Sequence, residues 1–246
     1  MRLYDFIDKT TAQVYGIYGL LGGGKTLTAV ELMLDFLNSG HTVCSNISLN
    51  IKNKSNFHLV DFSSCDWWSL PVGAPRGSDD PSRVAIFIDE AAEYFDQFSY
   101  SSYQVKSFMS WLRHSSKQGQ FVFLIVQNPD FLVRSARSLC HSWINVVDMR
   151  QFRIPVLRFR LWFLSDYVYR RVFDKHGNLI SRGLCFARKS RIGRFYDTSQ
   201  IINNTSTARN YKPVPFSTRL YNYILARPFS LLLTPAIFLL LIILLL

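Results

Sequence analysis

The sequence predicts an α/β fold in which a parallel sheet is flanked by helices. Short apolar segments rich in β-forming residues alternate, between residues 14 and 147, with segments of helical periodicity. A glycine cluster, Gly19 to Gly24, stands between the first predicted strand and the first predicted helix. Strands that alternate with helices in this way form parallel sheets with helices on both faces.

The predicted strands and helices fall within residues 1–150, which we interpret as one domain. Two strands, Val84 to Ile88 and Phe121 to Val126, are apolar throughout, as central strands of a parallel sheet are. Residues 52–82 are rich in turn-forming residues and predict an irregular excursion from the core. The other strands are predicted at 14–18, 41–49 and 143–147, and the helices at 27–37, 91–98, 103–114 and 131–139.

Charge is divided unevenly along the chain. Residues 1–149 hold 12 Lys and Arg against 14 Asp and Glu, a net of −2, whereas residues 150–227 hold 16 against 3, a net of +13. A basic segment is typical of proteins that contact nucleic acid or an anionic membrane surface, and both partners stay open. Two extended, arginine-rich segments flank the turn-forming residues 174–178, so a small basic β-hairpin region is predicted at 151–198.

The last 18 residues, 229–246, carry no charge and are apolar on every face. A helix of this length reaches about 27 Å, close to the thickness of a hydrocarbon core, whereas a helix buried in a globular domain would show a polar stripe. We therefore expect a transmembrane helix, preceded by a juxtamembrane linker at 199–228. Positive residues stay on the cytoplasmic side of a span, which places the N-terminal domain there. These residues are Arg209, Lys212, Arg219 and Arg227.

The glycine cluster belongs to a complete phosphate-loop motif. GLLGGGKT, from Gly19 to Thr26, matches G-x-x-x-x-G-K-[ST] between a predicted strand and a predicted helix. Glycines let successive backbone N–H groups point at phosphate, and the start of the helix adds the positive end of its dipole. We expect Lys25 to reach the β- and γ-phosphates and Thr26 to bind Mg²⁺. The predicted nucleotide contacts are Gly19, Gly22, Gly23, Gly24, Lys25, Thr26 and Leu27. The motif predicts a P-loop NTPase with ATP and Mg²⁺ as ligands.

Two adjacent acids follow the apolar strand Val84 to Ile88. An acid at the carboxyl end of a buried parallel strand faces the ligand crevice, so Asp89 is expected to hold the magnesium. Glu90 is expected to be the general base that polarises the attacking water. Two acids could instead begin a helix, where they suit the dipole, but the phosphate loop upstream favours the metal-site interpretation.

Further candidates lie on the same domain. Gln127 follows the strand Phe121 to Val126 and could sense the γ-phosphate or orient water, although a polar residue at a strand end is often a turn former. Hydrolysis also benefits from an arginine donated by a neighbouring subunit, which indicates a homo-oligomeric ring. Our first choice is Arg113, with Arg134 and Arg137 as alternatives; each is otherwise an ordinary surface arginine.

Several segments together resemble the zonula occludens toxin family, over Val14 to Val147. They are GLLGGGKT, Ser45-Asn46-Ile47, VAIFIDEAAEYF and WLRHSSKQGQFVFLIVQNP, followed by a late transmembrane segment. That family includes the inner-membrane assembly ATPases of filamentous phages, and its N-terminal domain is a P-loop fold related to bacterial DNA-pumping ATPases. The family's nucleotide site falls on Gly19, Gly24, Lys25, Thr26, Asp89 and Glu90.

The resemblance implies a single-pass protein of the host inner membrane with a cytoplasmic ATPase domain. It would use ATP hydrolysis to drive virion assembly and extrusion, with phage coat or assembly proteins as partners and phage single-stranded DNA as a further candidate partner. A membrane-bound DNA-translocating ATPase is the alternative, because the basic segment suits a phosphate backbone. A P-loop kinase for a small molecule and a scaffold that binds nucleotide without hydrolysis remain two further hypotheses.

Overall fold

The computed structural model describes residues 3–7, 11–51, 55–75, 83–96, 102–151, 166–180 and 185–196. The chain divides into two compact units, residues 1–202 and 203–246, and the second lies wholly outside the described ranges, as does the rest of the predicted linker and span. In the ranges that are described, no helix is both long enough and apolar enough to cross a bilayer.

The described residues form an eight-stranded sheet in the order β3-β2-β4-β5-β1-β6-β7-β8. Neighbours from β3 to β6 pair parallel, and β7 and β8 pair antiparallel at the other end. The predicted parallel sheet is therefore confirmed. The strands are β1 Val14–Tyr18, β2 Thr42–Ser45, β3 Phe57–Leu59, β4 Val84–Ile88, β5 Gln120–Val126, β6 Cys140–Asp148, β7 Tyr167–Asp174 and β8 Cys185–Arg188.

Helices cover both faces of the sheet, as predicted. Because successive strand residues point to opposite faces, Phe87 of β4 packs with Phe36 of α1 on one face, while Ile86 packs with Phe108 and Trp111 of α3 on the other. Each face thus buries its own apolar cluster. The helices are α1 Lys25–Asn38, α2 Ala91–Tyr94, α3 Tyr103–His114, α4 Arg134–Leu139 and α5 Lys189–Ile192.

Several element boundaries differ from the sequence prediction. The excursion at 52–82 contributes β3, a three-residue strand that extends the parallel sheet beyond β2. The helix expected at 131–139 begins only at Arg134, because the 3-10 turn Pro129–Phe131 comes first, capped by the Asn128 side chain, which accepts from Asp130 N. The helix expected at 91–98 ends at Tyr94, and residues 97 and 98 of the expected range lie outside the described part of the chain.

The predicted basic hairpin is joined to the main sheet. β7 runs antiparallel to β6, from Asp148 opposite Val168 to Ser142 opposite Asp174, and β8 pairs antiparallel with β7. The Asp174 carboxylate accepts backbone N–H bonds from residues 176 and 178 and so fixes the turn after β7. The hairpin therefore continues the sheet that carries the glycine-rich loop.

Candidate functional site

The predicted site residues meet at one edge of the sheet. β1, β2, β4 and β5 are parallel, so their carboxyl ends share an edge, and Asn46, Asp89 and Gln127 directly follow three of them. The glycine-rich loop leaves the end of β1 at that edge and leads into α1. Ligands of open α/β sheets bind in the crevice at this edge.

Two glycines of the loop are required by close backbone approaches. A Cβ on Gly19 would lie 2.3 Å from the carbonyl oxygen of Val146 in β6. Gly24 has φ 94°, a left-handed conformation, and its missing Cβ leaves room for Val168 of β7. The turn between them is closed by a 2.8 Å bond from Gly23 N to Leu20 O. The loop is therefore held between β6 and β7.

The amino end of α1 has the features of an anion site. No side chain caps it, so its first backbone N–H groups are not satisfied by a cap. Thr28 donates from its N–H and its hydroxyl to Gly24 O, at 2.9 and 3.0 Å, which fixes the first turn. Lys25 is buried, and its Nζ donates to Leu20 O at 3.3 Å, so the ammonium lies over the loop.

Asp89 is bonded directly to the loop–helix segment. The Thr26 hydroxyl donates to Asp89 Oδ2 at 2.9 Å, and Glu90 N donates to Oδ1 at 3.0 Å. Asp89 is only 5% exposed. The structure thus brings together the two residues predicted to hold magnesium, which are 63 positions apart.

Burial dominates the electrostatics of both acids. It raises the pKa of Asp89, against the opposing effects of the Thr26 hydroxyl, the Glu90 N–H and the Lys25 charge. Burial also raises the pKa of the half-buried Glu90 carboxyl, and the neighbouring Asp89 charge raises it further. Acids whose pKa is raised by burial and by a neighbouring charge in a crevice are typical of functional sites.

Glu90 has a left-handed backbone, with φ 50° and ψ 45°. Among the described residues it is the only one other than glycine with a positive φ. A glutamate in this region carries backbone strain of about 1 kcal/mol or more, which persists only where the surroundings enforce it. Such strain concentrates at active sites, which agrees with the role predicted for Glu90.

The oxygen atoms of Thr26 and Asp89 fit magnesium. Mg²⁺ prefers hard oxygen ligands and is usually held by one or two protein groups together with water and substrate phosphates. A hydroxyl and a buried carboxylate 2.9 Å apart supply such a partial set. In the part of the chain that the structure describes, no group of three or more His, Cys, Asp or Glu side chains could form a complete metal cage. The Thr26 and Asp89 oxygens by themselves suit a metal ion whose other ligands are water and substrate phosphates.

Asn46 is a site residue that the sequence reasoning did not single out. Its Nδ2 donates to Asp89 O at 3.0 Å, and its Oδ1 accepts from Asp89 N at 2.8 Å. The Tyr94 side chain also hydrogen-bonds Asn46. The signal that identified Asp89 and Gln127, a polar residue at the end of an apolar strand, was present at Asn46 too.

The remaining predicted residues occupy different places. Gln127 is exposed at the carboxyl end of β5, beside the loop. Leu27 lies in the first turn of α1, and its side chain is buried in the core, so only its backbone N–H is available to a bound anion. Arg113 is exposed in the last turn of α3, which leads through the turn Ser115–Gln118 to the start of β5. Within one chain, Arg113 therefore lies at the sheet edge opposite the loop.

The other two candidate arginines both lie in α4. Arg134 is the first residue of α4, which follows the carboxyl end of β5, and it is exposed. Arg137 forms an ion pair with Asp130. Of these two, Arg134 is the arginine at the loop-bearing edge, and it forms no ion pair with any other described residue.

The fold and this site define a class of protein. A glycine-rich loop from β1 to α1, linked through Thr26 to an acid at the end of β4, makes the chain a P-loop nucleoside triphosphatase. The family model of the Zonular occludens toxin (Zot) family matches residues 13–151, and the chain belongs to that family. The resemblance read from the sequence is thereby confirmed.

Similar proteins come from filamentous phages and bacteria. The Gene 1 protein of Escherichia phage If1 is 28% identical over 135 residues, covering 50% of this chain and 38% of that protein. The Putative assembly protein ORF301 of Pseudomonas phage Pf3 is 29% identical over 130 residues, covering 52% and 40%. The matches span about two fifths of the length of these relatives. The N-terminal domain of zonular occludens toxin from Neisseria meningitidis is 17% identical, covers 76% of this chain and 100% of that one, and has a TM-score of 0.48.

Proposed function

We propose that the chain binds Mg·ATP and hydrolyses it to drive assembly and extrusion of a filamentous phage through the host inner membrane. The observation that carries the proposal is the 2.9 Å bond between Thr26 of the loop and the buried Asp89. It joins a phosphate-binding element to a metal-binding one. The adjoining strained Glu90 adds a candidate base.

The loop and α1 would bind the polyphosphate. Backbone N–H groups from Gly22 to Leu27 surround the phosphates, and the ammonium of Lys25 compensates their charge. Thr26 and Asp89 would hold Mg²⁺, which when bound neutralises charge on the β- and γ-phosphate oxygens. Asn46 keeps the backbone of Asp89 in place through its two hydrogen bonds.

Hydrolysis requires a base and a stabilised transition state. The Glu90 carboxylate would polarise the attacking water, and Gln127 would help to orient it at the end of β5. The developing charge would be met by an arginine from a neighbouring copy in a homo-oligomeric ring. Arg113 and Arg134 are both exposed and can take part in such a contact.

The membrane and phage parts of the proposal rest on the relatives and on the sequence. A relative with 29% identity is named a Putative assembly protein. The uncharged segment 229–246 is long enough to span a bilayer, and the basic segment before it would keep the ATPase domain in the cytoplasm. Phage coat or assembly proteins are the proposed partners.

A DNA-translocating ATPase is the second candidate, favoured by the net charge of +13 over residues 150–227. DNA binding through phosphates weakens steeply as salt rises. Circular single-stranded DNA that accelerates phosphate release at 50 mM salt but not at about 500 mM would support translocation. Turnover that does not respond to DNA at either concentration would leave the assembly ATPase as the better account.

Lys25→Ala and Glu90→Gln test the proposed function. Phosphate release from Mg·ATP is measured for each purified chain, and progeny release is measured in a host that produces the phage. Both variants are expected to lose at least about 10²-fold in turnover, the usual contribution of such groups, and to stop extrusion. Normal release of progeny by Lys25→Ala would overturn the assignment. Nucleotide binding by the parent without any phosphate release would instead support the scaffold hypothesis.

A further inference from the structure

Strand β7 has one buried face and one half-buried face. Val168, Arg170 and Val172 are buried on the side of the sheet that α1 covers, and the residues that alternate with them are partly exposed. The family match ends at residue 151, whereas β7 begins at Tyr167. The buried face of β7 nevertheless contacts the phosphate loop and the helix that follows it.

Val168 packs against Gly24. Its side chain is completely buried, and its Cγ2 lies 2.8 Å from where a Cβ on Gly24 would be. Gly24 holds φ 94° and immediately precedes Lys25, so its conformation sets the direction of the first N–H groups of α1. Val168 thus occupies the space into which this part of the loop would otherwise relax.

Arg170 links the same strand to α1. Its guanidinium is 1% exposed and forms an ion pair with Glu31, whose side chain is 24% exposed. Removing Glu31 would leave the buried Arg170 charge uncompensated, so the pair is costly to break. β7 is therefore bonded to the helix that carries Lys25 and Thr26, as well as packed against the loop.

We propose that β7 positions the phosphate loop, with Val168 as a positioning residue that acts through Gly24. The inference rests on the proposed binding of Mg·ATP. Truncation of Val168 leaves a space beside Gly24, and neighbours in a packed core fill such a space only partly. The loop then samples backbone directions that do not suit phosphate, and nucleotide binding weakens. The ion pair of Arg170 with Glu31 keeps α1 at the distance that this packing requires.

A matched pair of variants separates positioning from ordinary core packing. Val168→Ala and Val172→Ala remove the same two methyl groups from the same buried face of β7. Val172 lies opposite Ile144, away from the loop. Both variants are expected to lower Tm to a similar extent. The Kd for Mg·ATP should rise about 5- to 50-fold for Val168→Ala, below the ~10²-fold effect of a 1 Å misplacement. It should stay within about twofold for Val172→Ala.

Kinetics give a second measurement on the same chains. Val168 does not touch the reacting atoms, so Val168→Ala is expected to raise KM while kcat changes little. Should Val168→Ala fail to fold, Val168→Cys is a milder change, because it replaces the two γ methyl groups by a single γ sulfur, and Val172→Cys is its control. Equal Kd values for the Val168 and Val172 variants would overturn the inference alone. A parent chain that binds no nucleotide would overturn the proposed function, and the inference with it.

Discussion

Asp89 is an anion that folding removes from water. A carboxyl whose pKa is higher in the folded than in the unfolded state destabilises the folded state while it is ionised, and this cost disappears as pH falls through the folded pKa. Burial raises the pKa of Asp89, so its charge lowers stability at neutral pH. The residue therefore serves a ligand rather than the fold.

Asp89→Asn is accordingly expected to stabilise the chain without nucleotide. An amide still bonds Thr26 and Glu90 but carries no charge, and a gain of ~1 kcal/mol raises Tm by about 2–4 °C in a domain of this size. Thermal unfolding at pH 7.5 measures it. Asp61→Asn is the control. Hydrogen bonds from Ser63 lower the pKa of the exposed Asp61, so the Tm of the Asp61→Asn chain should not rise. A lower Tm for Asp89→Asn would contradict this account.

Glu90 should set the acid limb of the pH–rate profile. The ordinary pKa of a glutamate is about 4.3. Burial and the Asp89 charge raise the pKa of Glu90, so turnover should begin to fall at a higher pH than an ordinary glutamate would give. Glu90→Gln should lower kcat by about 10²- to 10⁴-fold.

The control is Glu93→Gln. Glu93 is exposed, and its charge also raises the pKa of both acids, so Glu93→Gln should keep kcat and move the acid limb of the profile to lower pH. An acid limb at the same pH in Glu93→Gln and the parent would count against the assignment.

The roles of single residues could be predicted only where they form a local pattern. Gly19 to Thr26 is one continuous motif, and Asp89 follows an apolar strand, so both were recognisable in the sequence. Asn46 also follows an apolar strand, but that signal alone assigns no role, and its importance comes from lying beside Asp89, 43 positions away. Val168 and Gly24 are even farther apart along the chain, and no local sequence pattern predicts their contact.

At the scale of elements, apolar strands were predicted best. β1 and β4 have the predicted bounds because all their residues except Tyr18 are buried, and because a glycine follows β1 and an acid follows β4. β3 was missed since two of its three residues are exposed and its flanks are irregular. β6 was predicted only at its central apolar residues, 143–147, whereas the strand runs from Cys140 to Asp148 and alternates between buried and more exposed residues. That the hairpin joins β6 depends on pairing between distant segments, which periodicity does not report.

Asn46 joins β2 to β4 at the site, and its removal should affect both stability and binding. Asn46→Ala leaves Asp89 O and Asp89 N without their side-chain partners, at a cost of about 1–3 kcal/mol in unfolding free energy. Denaturant unfolding and the Kd for Mg·ATP measure the two effects. Asn50→Ala is the control, because there the backbone N–H makes the bond, to Phe195 O. Equal losses in the two variants would contradict a specific role for Asn46.

At the scale of the molecule, the family match is shorter than the compact unit that contains the site. The family model matches residues 13–151, but the compact unit continues to residue 202. Lys189 of α5 bonds Asp148 at the end of β6, and Phe195 O accepts from Asn50 N after β2. The segment after β8 is thus tied to two of the strands that border the nucleotide crevice. A truncation at residue 151 is not a neutral way to isolate the ATPase.

Calorimetric titration with Mg·ATP tests the central claim, that Gly19 to Thr26 and Asp89 bind a magnesium nucleotide. The chain carrying Glu90→Gln keeps the loop but turns over slowly, so it reports binding alone. We expect saturable heat at one nucleotide per chain, and a Kd about 30- to 150-fold higher when Lys25→Ala is added, the effect of losing a contact worth about 2–3 kcal/mol. No saturable heat, or the same Kd with and without Lys25→Ala, would contradict the account.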